Sequence, residues 1–584
     1  MNGAAIVVRA LEDEGIPFAF GIPGTHNIEL YDALAASEPV RTVLVTDEQS
    51  ASFMADGVWR ASGRMACVNV VPGAGLTHAL SGIAEAFLDH VPMLVLGCGI
   101  RRDTGKAFQL HDVDQAAIVA PVVKGTFRPS GGQELYDAVR KACVLARSGA
   151  PGPVFVEVPV NLYLFTHDAV IPAPSGPRGR DSGPERDAVE ARNEGAEGLL
   201  KRAAELLGRS KRPLLYVGAG AAGATAEVRA LAERLEAPVS TTFQGKGVFP
   251  ESHPLFLWPG FGDAAPPFAR DVARRCDLTL AVGCRFGEVG TGSYGLEPPR
   301  PLIHVDIDAN ALGRNYVADV AVAADARWFL RALLPFLDGT PRAEDAELRR
   351  RIRVGHEEVW ASWMADVGKG RVTPAHLLRT AQRVFGPQTV FTTDSGNGTF
   401  LALECLRLEE PGQFLAPVDY SCMGYAVPAA IGAKLARPDA PVVALAGDGA
   451  FLMTGLELLT AAREGVGVVT LVLRDREPAQ IAQFQATAMN RKVASRVHDY
   501  DLAGLAAGLG IPALALGRDG DVEAVLGEAA RLAAGGTPVL VDVEIDYSRK
   551  TFFTQGVVRT TLHRLPLKDQ LRFVGRALVR KITG

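Results

Sequence analysis

Residues 447–475 read GDGAFLMTGLELLTAAREGVGVVTLVLRD, and two acids bracket the stretch: Asp448 and Asp475, 27 residues apart. An apolar run at 442–446 leads into it and a second at 468–473 closes it, with an amphipathic segment between. That order predicts a strand–helix–strand unit with parallel strands. Both strands of such a unit end on the same edge of the sheet, so two carboxylates remote in sequence face one crevice. Gly447 and Gly449 let backbone amides approach a diphosphate, and the helix start that follows at Ala450 favours negative charge. Oxygen ligands of this kind suit Mg²⁺ shared with a phosphate-bearing cofactor, with Asp448 and Asp475 as ligands and Glu477 as a further one. A Gly-Asp-Gly alone is a turn signal, and an acid closing a strand is commonly solvated. The spacing within one βαβ unit carries the metal reading.

Around this unit, the 584 residues are 48% hydrophobic and 22% charged, which suits three or four soluble domains. A net charge of −5 gives no reason to expect nucleic acid. Seven cysteines are scattered without a Cys-x-x-Cys, which points to a reducing cytoplasm. The start, MNGAAIVVRALEDEG, has acids too early for a secretory signal, and no apolar run approaches the ~18 residues of a membrane span.

Short Val/Leu/Ile-rich strands alternate with Ala/Leu helices in three α/β blocks, which predicts three consecutive doubly wound parallel-sheet domains. The first block, 1–171, has strands legible at 18–21, 40–45, 67–71, 93–96 and 154–158. A polar linker is expected at 172–194, a central block at 195–340 with strands at 214–217, 278–282 and 302–305, and a second linker at 341–371. The third block, 372–546, has strands at 389–393, 442–446, 468–473 and 539–545. The remainder, 547–584, ends in a basic amphipathic pattern. Such a tail packs onto its own body or lies on an anionic membrane surface.

The Gly-Asp-Gly unit resembles the diphosphate-binding motif of thiamine diphosphate (ThDP) enzymes, in which Asn-Asn closes the stretch; here that position reads Arg474-Asp475. The segment VLVTDEQSASFMADGVWRASGR, 43–64, resembles the pyrimidine-binding domain of the same family. Gly21-Ile-Pro-Gly24, Gly73-Ala-Gly75, Ala107-Phe-Gln109, Pro121-Val-Val-Lys124 and Pro151-Gly-Pro153 follow acetolactate (acetohydroxyacid) synthase in order and spacing. TTFQGKGVFPESHPL, AVGCRFGEVGTG and HVDID resemble that enzyme's middle domain.

The resemblance implies a pyrimidine-binding, a central and a diphosphate-binding domain, with ThDP and Mg²⁺ as cofactors. It gives Glu48 the role of hydrogen-bonding N1′ of the aminopyrimidine, so that N4′ becomes an intramolecular base. Taken alone, Glu48 reads otherwise, because Thr46 and Gln49 match a helix capping box. In VDYSCMGYAVPAAIGAKLA the resemblance places Met423 beneath the cofactor as a wedge and the Ser421 carbonyl near N4′, with Asn397 and Gly398 beside the diphosphate. It further implies a homodimer or homotetramer, since the glutamate and the metal site of this family meet across a subunit interface. Some pyruvate oxidases of the family have a membrane-seeking C-terminal helix. FAD is a candidate second cofactor, with Gly218, Gly220 and Arg285 as contacts; tight helix–strand packing explains Gly218-Ala-Gly220 equally.

The pocket departs from acetolactate synthase at Gln480-Ile481 and Phe484, and at His26 and His78, where that enzyme has apolar or Asn side chains. These imply a polar pocket bordered by Gln109, His26 and Gln480, with His78 toward the cofactor. The leading expectation is a 2-oxo acid decarboxylase/carboligase of the acetolactate synthase-like group. The alternatives are a C–C lyase or hydrolase on 2-hydroxy ketones or diketones, like benzaldehyde lyase or cyclohexane-1,2-dione hydrolase; a pyruvate oxidase-like flavoenzyme; and a catalytically silent scaffold.

Overall fold

The computed structural model describes residues 1–172, 196–337, 339, 342–368 and 370–583. The first sheet contains β1 (Phe18–Gly21), β2 (Arg41–Leu44), β3 (Cys67–Val70), β4 (Met93–Gly99), β5 (Thr126–Phe127) and β6 (Pro153–Pro159), ordered β2-β1-β3-β4-β6-β5. The second contains β7 (Pro213–Val217), β8 (Val239–Thr241), β9 (Phe256–Pro259), β10 (Leu278–Val282), β11 (Leu302–Asp306) and β12 (Val320–Ala323), ordered β12-β11-β10-β7-β8-β9. The third contains β13 (Val390–Thr393), β14 (Phe414–Leu415), β15 (Val442–Gly447), β16 (Val469–Arg474), β17 (Ala513–Leu516) and β18 (Val539–Glu544), ordered β14-β13-β15-β16-β18-β17. Every pairing between these strands is parallel. The three expected doubly wound sheets are present.

The first and third sheets share one strand order, and the middle sheet, read from β9, has the order of dinucleotide-binding folds. Most strands legible in the sequence are continuously apolar: β4 and β6 are buried at every position, as helices on both faces of a parallel sheet require, whereas β2 has only Val43 buried and the fully buried β8 and β9 were not read. Those without a clear signal are short or half exposed. β5 and β14 have two residues each, while β12 and β17 alternate with exposed positions.

Beyond Pro172, the expected first linker lies outside the described residues. Most of the expected second linker is a 19-residue helix, Ala346–Met364, whose Ile352, Val359 and Trp363 are buried at helical spacing. The tail forms two helices, Phe552–Arg564 and Leu567–Thr583. Phe553 of the first stacks on Phe400 at 4.0 Å between ring centroids, and the second packs against the helix Ala479–Met489. No helix among the described residues is long and apolar enough to cross a membrane.

Three helices position the site: α1 (Glu48–Ser62), α2 (Ala74–Leu88) and α3 (Ala426–Ala436). α1 belongs to the first domain and α3 to the third, and they cross at a contact that only glycine permits. A methyl group on Gly57 would sit 2.3 Å from the Ala429 carbonyl oxygen, and one on Gly432 would sit 2.1 Å from that of Met54. Beside the crossing, Arg60 of α1 bonds Asp56 through Nε (2.6 Å) and Asp89 through Nη2 (2.7 Å), while the Tyr425 hydroxyl donates to Asp56. Gly57→Ala or Gly432→Ala forces the helices apart at a cost of about 1–3 kcal/mol, and should lower the apparent Tm in thermal unfolding. Gly527→Ala, in a helix where an added methyl meets nothing within 4 Å, should leave Tm unchanged or raised.

Candidate active site

β15 and β16 are neighbours, with Gly447 opposite Leu473, so the acids that follow them emerge together at the C-terminal edge of the third sheet. Asp448 opens a short helix and is 2% exposed; its Oδ1 accepts the Gly449 N–H (2.8 Å) and its Oδ2 the Arg476 N–H (2.7 Å). Its carbonyl accepts the Tyr500 hydroxyl at 3.0 Å. Burial raises the Asp448 carboxyl, and burial together with the Asp448 charge pushes Asp475 up to about 7. Two half-dry carboxylates side by side disfavour each other's ionisation, and a divalent cation between them removes that conflict.

The neighbouring charges are committed elsewhere. Arg474 bonds Asp542 (2.8 Å) and Asp499, and Arg476 bonds Glu544 (2.8 Å) and lies 3.3 Å from Asp499. Neither arginine bonds Asp475. Glu477 lies beside Asp475, but both its oxygens accept from Lys492 Nζ, at 2.7 and 2.6 Å. Above the turn there is room: a methyl group on Gly447 would meet nothing within 4 Å, and one on Gly449 would have the Met423 Cε at 4.0 Å. The hard-oxygen pair and the open glycine turn fit Mg²⁺ and a diphosphate.

The segment 421–426 is fixed at nearly every residue. Ser421 takes a left-handed conformation (φ 67°) and its hydroxyl pairs with Ser395 Oγ at 2.7 Å. The Cys422 N–H donates to Glu85 (3.0 Å), the Gly424 carbonyl accepts from Thr454 Oγ1 (2.6 Å), and the Ala426 N–H donates to Asp394 (3.1 Å). Met423 is half-buried and reaches toward Gly449. Burial pushes Asp394 up to about 7 despite the amide it accepts. Asn397 begins the helix Asn397–Cys405 and is buried, and Gly398 lies against Leu473.

At α1 the capping differs from the sequence expectation. The N-cap is Asp47, whose side chain accepts the Gln49 N–H (2.7 Å). Thr46 instead turns to the third domain, where its N–H (3.1 Å) and hydroxyl (2.5 Å) both donate to Glu457. Glu48 is thereby released from capping. It is 7% exposed, sits over Gly75, where a methyl would lie 2.8 Å from its Oε1, and has His78 Nδ1 at 3.7 Å. His111 lies against Gly73 at the same end of α2, and its ring meets that of His26 at 5.4 Å in a T-shaped contact. Burial and then His111 lower the His26 pKa, favouring the neutral ring. Glu48, His78, His111 and His26 thus border one end of α2. Gln109 donates to the Arg101 and Lys106 carbonyls (2.9 and 3.2 Å) within its own loop, and Gln480 is half-buried near the start of its helix.

In the middle domain, the Gly218-Ala-Gly220 turn abuts Gly283. Methyl groups on Gly218 and Gly220 would meet the Gly283 carbonyl oxygen at 2.1 Å and its Cα at 2.8 Å. Close backbone packing accounts for both glycines. Arg285 bonds the Leu88 carbonyl of the first domain and Asp419 of the third, so its charge is already neutralised. These residues as placed do not form a flavin cradle, although the strand order is that of a dinucleotide-binding sheet.

Glu85, Asp394, Glu457 and Tyr500 were not expected from the sequence: Glu85 and Glu457 are lone acids in apolar stretches, and Tyr500 stands in a polar one, so none of the three carries a local pattern. Among them, only Asp394 had a usable signal, as the first residue after a strand in DSGNG.

The sequence matches family models described as thiamine pyrophosphate enzyme, N-terminal TPP binding domain (residues 1–118), central domain (200–333) and C-terminal TPP binding domain (394–543). It is 31% identical over 561 residues to the probable acetolactate synthase large subunit of Methanocaldococcus jannaschii, covering 94% of this chain and 92% of that one. It is 30% identical over 563 residues to the acetolactate synthase isozyme 3 large subunit of Escherichia coli (94% and 96%). Against the acetolactate synthase large subunit of Corynebacterium glutamicum it is 32% identical over 504 residues (83% and 76%). The three matched domains, the paired acids at one sheet edge and the uncapped Glu48 agree, and the chain belongs to the thiamine pyrophosphate enzyme family, where it is similar to acetolactate synthase large subunits.

Proposed function

We propose that the protein is a ThDP- and Mg²⁺-dependent decarboxylase/carboligase acting on 2-oxo acids. The observation that carries this reading is the pairing of buried Asp448 with half-buried Asp475 beneath an open glycine turn, with the Met423 side chain directed toward that turn. Asp448 and Asp475 would hold Mg²⁺, with the Gly447–Ala450 backbone toward the diphosphate; Glu477, taken by Lys492, would act at longer range. When bound, ThDP would supply a nucleophilic carbon and an electron sink for decarboxylation. Glu48 would hydrogen-bond N1′ of the aminopyrimidine, and its freedom from capping leaves the carboxylate available for this. Met423 would pack beneath the cofactor, and Ser421 would offer its carbonyl to the aminopyrimidine. His26, neutral near physiological pH, Gln109 and Gln480 border the substrate carboxylate and the acceptor. No step is assigned to FAD.

Glu48 and Asp448 belong to different domains, and a second copy of the chain would bring one of each together. Leu452, Met453, Leu456 and Leu459, on the helices that follow the glycine turn, are about half exposed and form the apolar face such a copy would cover. A homodimer is therefore the smallest competent unit in this proposal. Seven free cysteines, six of them buried, fit a reducing cytoplasm.

The three histidines near Glu48 favour a second reading, cleavage of 2-hydroxy ketones or diketones without loss of CO₂. A panel of 2-oxo acids with ThDP and Mg²⁺ should release CO₂ and yield a coupled hydroxyketone product. Cleavage of hydroxyketones with no CO₂ from any 2-oxo acid would select the second reading instead. Glu48→Gln should reduce turnover by at least ~10²-fold while calorimetry still detects ThDP binding. Asp448→Ala should abolish Mg²⁺-dependent ThDP binding, and Asp475→Asn should weaken the apparent Mg²⁺ affinity by on the order of tenfold.

A further inference from the structure

Behind the 421–426 segment lies a buried cluster of carboxyl groups that no step above uses. Glu85 near the end of α2 is fully buried; one oxygen accepts the Cys422 N–H at 3.0 Å, and the carboxyl also faces that of Asp89, to which it can donate only when protonated. The groups facing it come from every domain. Asp89 follows α2, and accepts from the Asp419 N–H (3.3 Å) and from Arg60 (2.7 Å). α1 contributes Asp56 and Arg60, the 418–425 loop Asp419, Cys422 and Tyr425, and the middle domain Arg285 and Gln244. His90, which burial takes down to about 4, is neutral.

The charges do not balance if every acid ionises. Arg60 serves Asp56 and Asp89, and Arg285 serves Asp419, which leaves Glu85 without a cation. Against the burial that would raise it, Arg60 holds Asp89 below its ordinary range, so the ionised member of the adjacent pair is Asp89 and the protonated one is Glu85. We propose that Glu85 is a positioning residue for cofactor binding: as a neutral carboxylic acid it bridges Cys422 and Asp89, and so holds Ser421 and Met423 in place, and its ionisation, which sets two buried carboxylates against each other, loosens that segment. This rests on the ThDP reading given above, and it adds a group that does not touch the cofactor.

Burial, then Asp89, pushes Glu85 up to about 9. The contribution of its protonated form to stability is therefore full below its ordinary value of 4.5 and is lost as pH rises through about 9. Calorimetric titration of ThDP into the full-length chain with saturating Mg²⁺, between about pH 7.5 and 10, tests the proposal with wild type, Glu85→Gln and Glu85→Ala. Wild-type affinity should fall by about tenfold or more with a midpoint near 9, where burial and Asp89 push Glu85. Glu85→Gln should match wild type near neutrality and show no such fall, because the amide accepts the Cys422 N–H and cannot ionise. Glu85→Ala should bind about tenfold more weakly even near neutrality; if it does not fold, the glutamine variant decides alone.

A wild-type affinity that stays constant across this range overturns the proposal. So does a Glu85→Gln enzyme that keeps the wild-type fall at the same midpoint, since Glu404, raised to about 8 by burial, would then be the titrating acid. Both results leave neutral-pH binding intact and spare the ThDP reading. Absence of ThDP binding by wild type near neutrality removes both.

Discussion

The crossing of α1 and α3 at Gly57 and Gly432 fixes everything that happens at the catalytic edge. Backbone meets backbone there, so neither helix can slide without losing dense contact. Asp56, Arg60 and Tyr425 lock the same junction with buried, mutually satisfied polar groups, of the kind whose removal singly costs several kcal/mol. α3 begins directly after the segment that presents Met423, and α1 begins with Glu48. One contact therefore orients both a wedge of one prospective site and the activating acid of another. The left-handed Ser421 backbone persists because bonds on either side of it over-determine its shape.

How much of this was legible depended on whether the signal was periodic or spatial. Most of the buried strands announced themselves as apolar runs, and the spacing of Asp448 and Asp475 followed from βαβ geometry alone. Edge strands such as β14 and β17 escaped notice because they are too short or too exposed for a pattern. Glu48 was readable only through likeness to a family, since its surroundings mimic a capping box; the cap belongs to Asp47 because Thr46 is drawn away by Glu457. That attraction comes from a residue over four hundred positions away, and no local reading can contain it. Glu85 was invisible for the same reason: its setting depends on Cys422, far along the chain in another domain.

The acid that stands where the resembled motif closes in asparagine gains a physical setting. Asp475 is not offset by Arg474 or Arg476, each of which is spent on other carboxylates. The site therefore carries more negative charge before loading than an Asp–Asn pair would, and depends more on its cation to relieve it. The same logic runs through the carboxyl cluster behind the loop, where a proton rather than a metal ion settles the excess.

Arg285 draws out a last point. Its guanidinium ties the middle domain to Leu88 of the first and to Asp419 of the third. The central module is consequently a strut as well as a prospective nucleotide fold. It could shed every trace of a bound flavin and still be indispensable, because what the flanking modules require from it is a fixed place to lean.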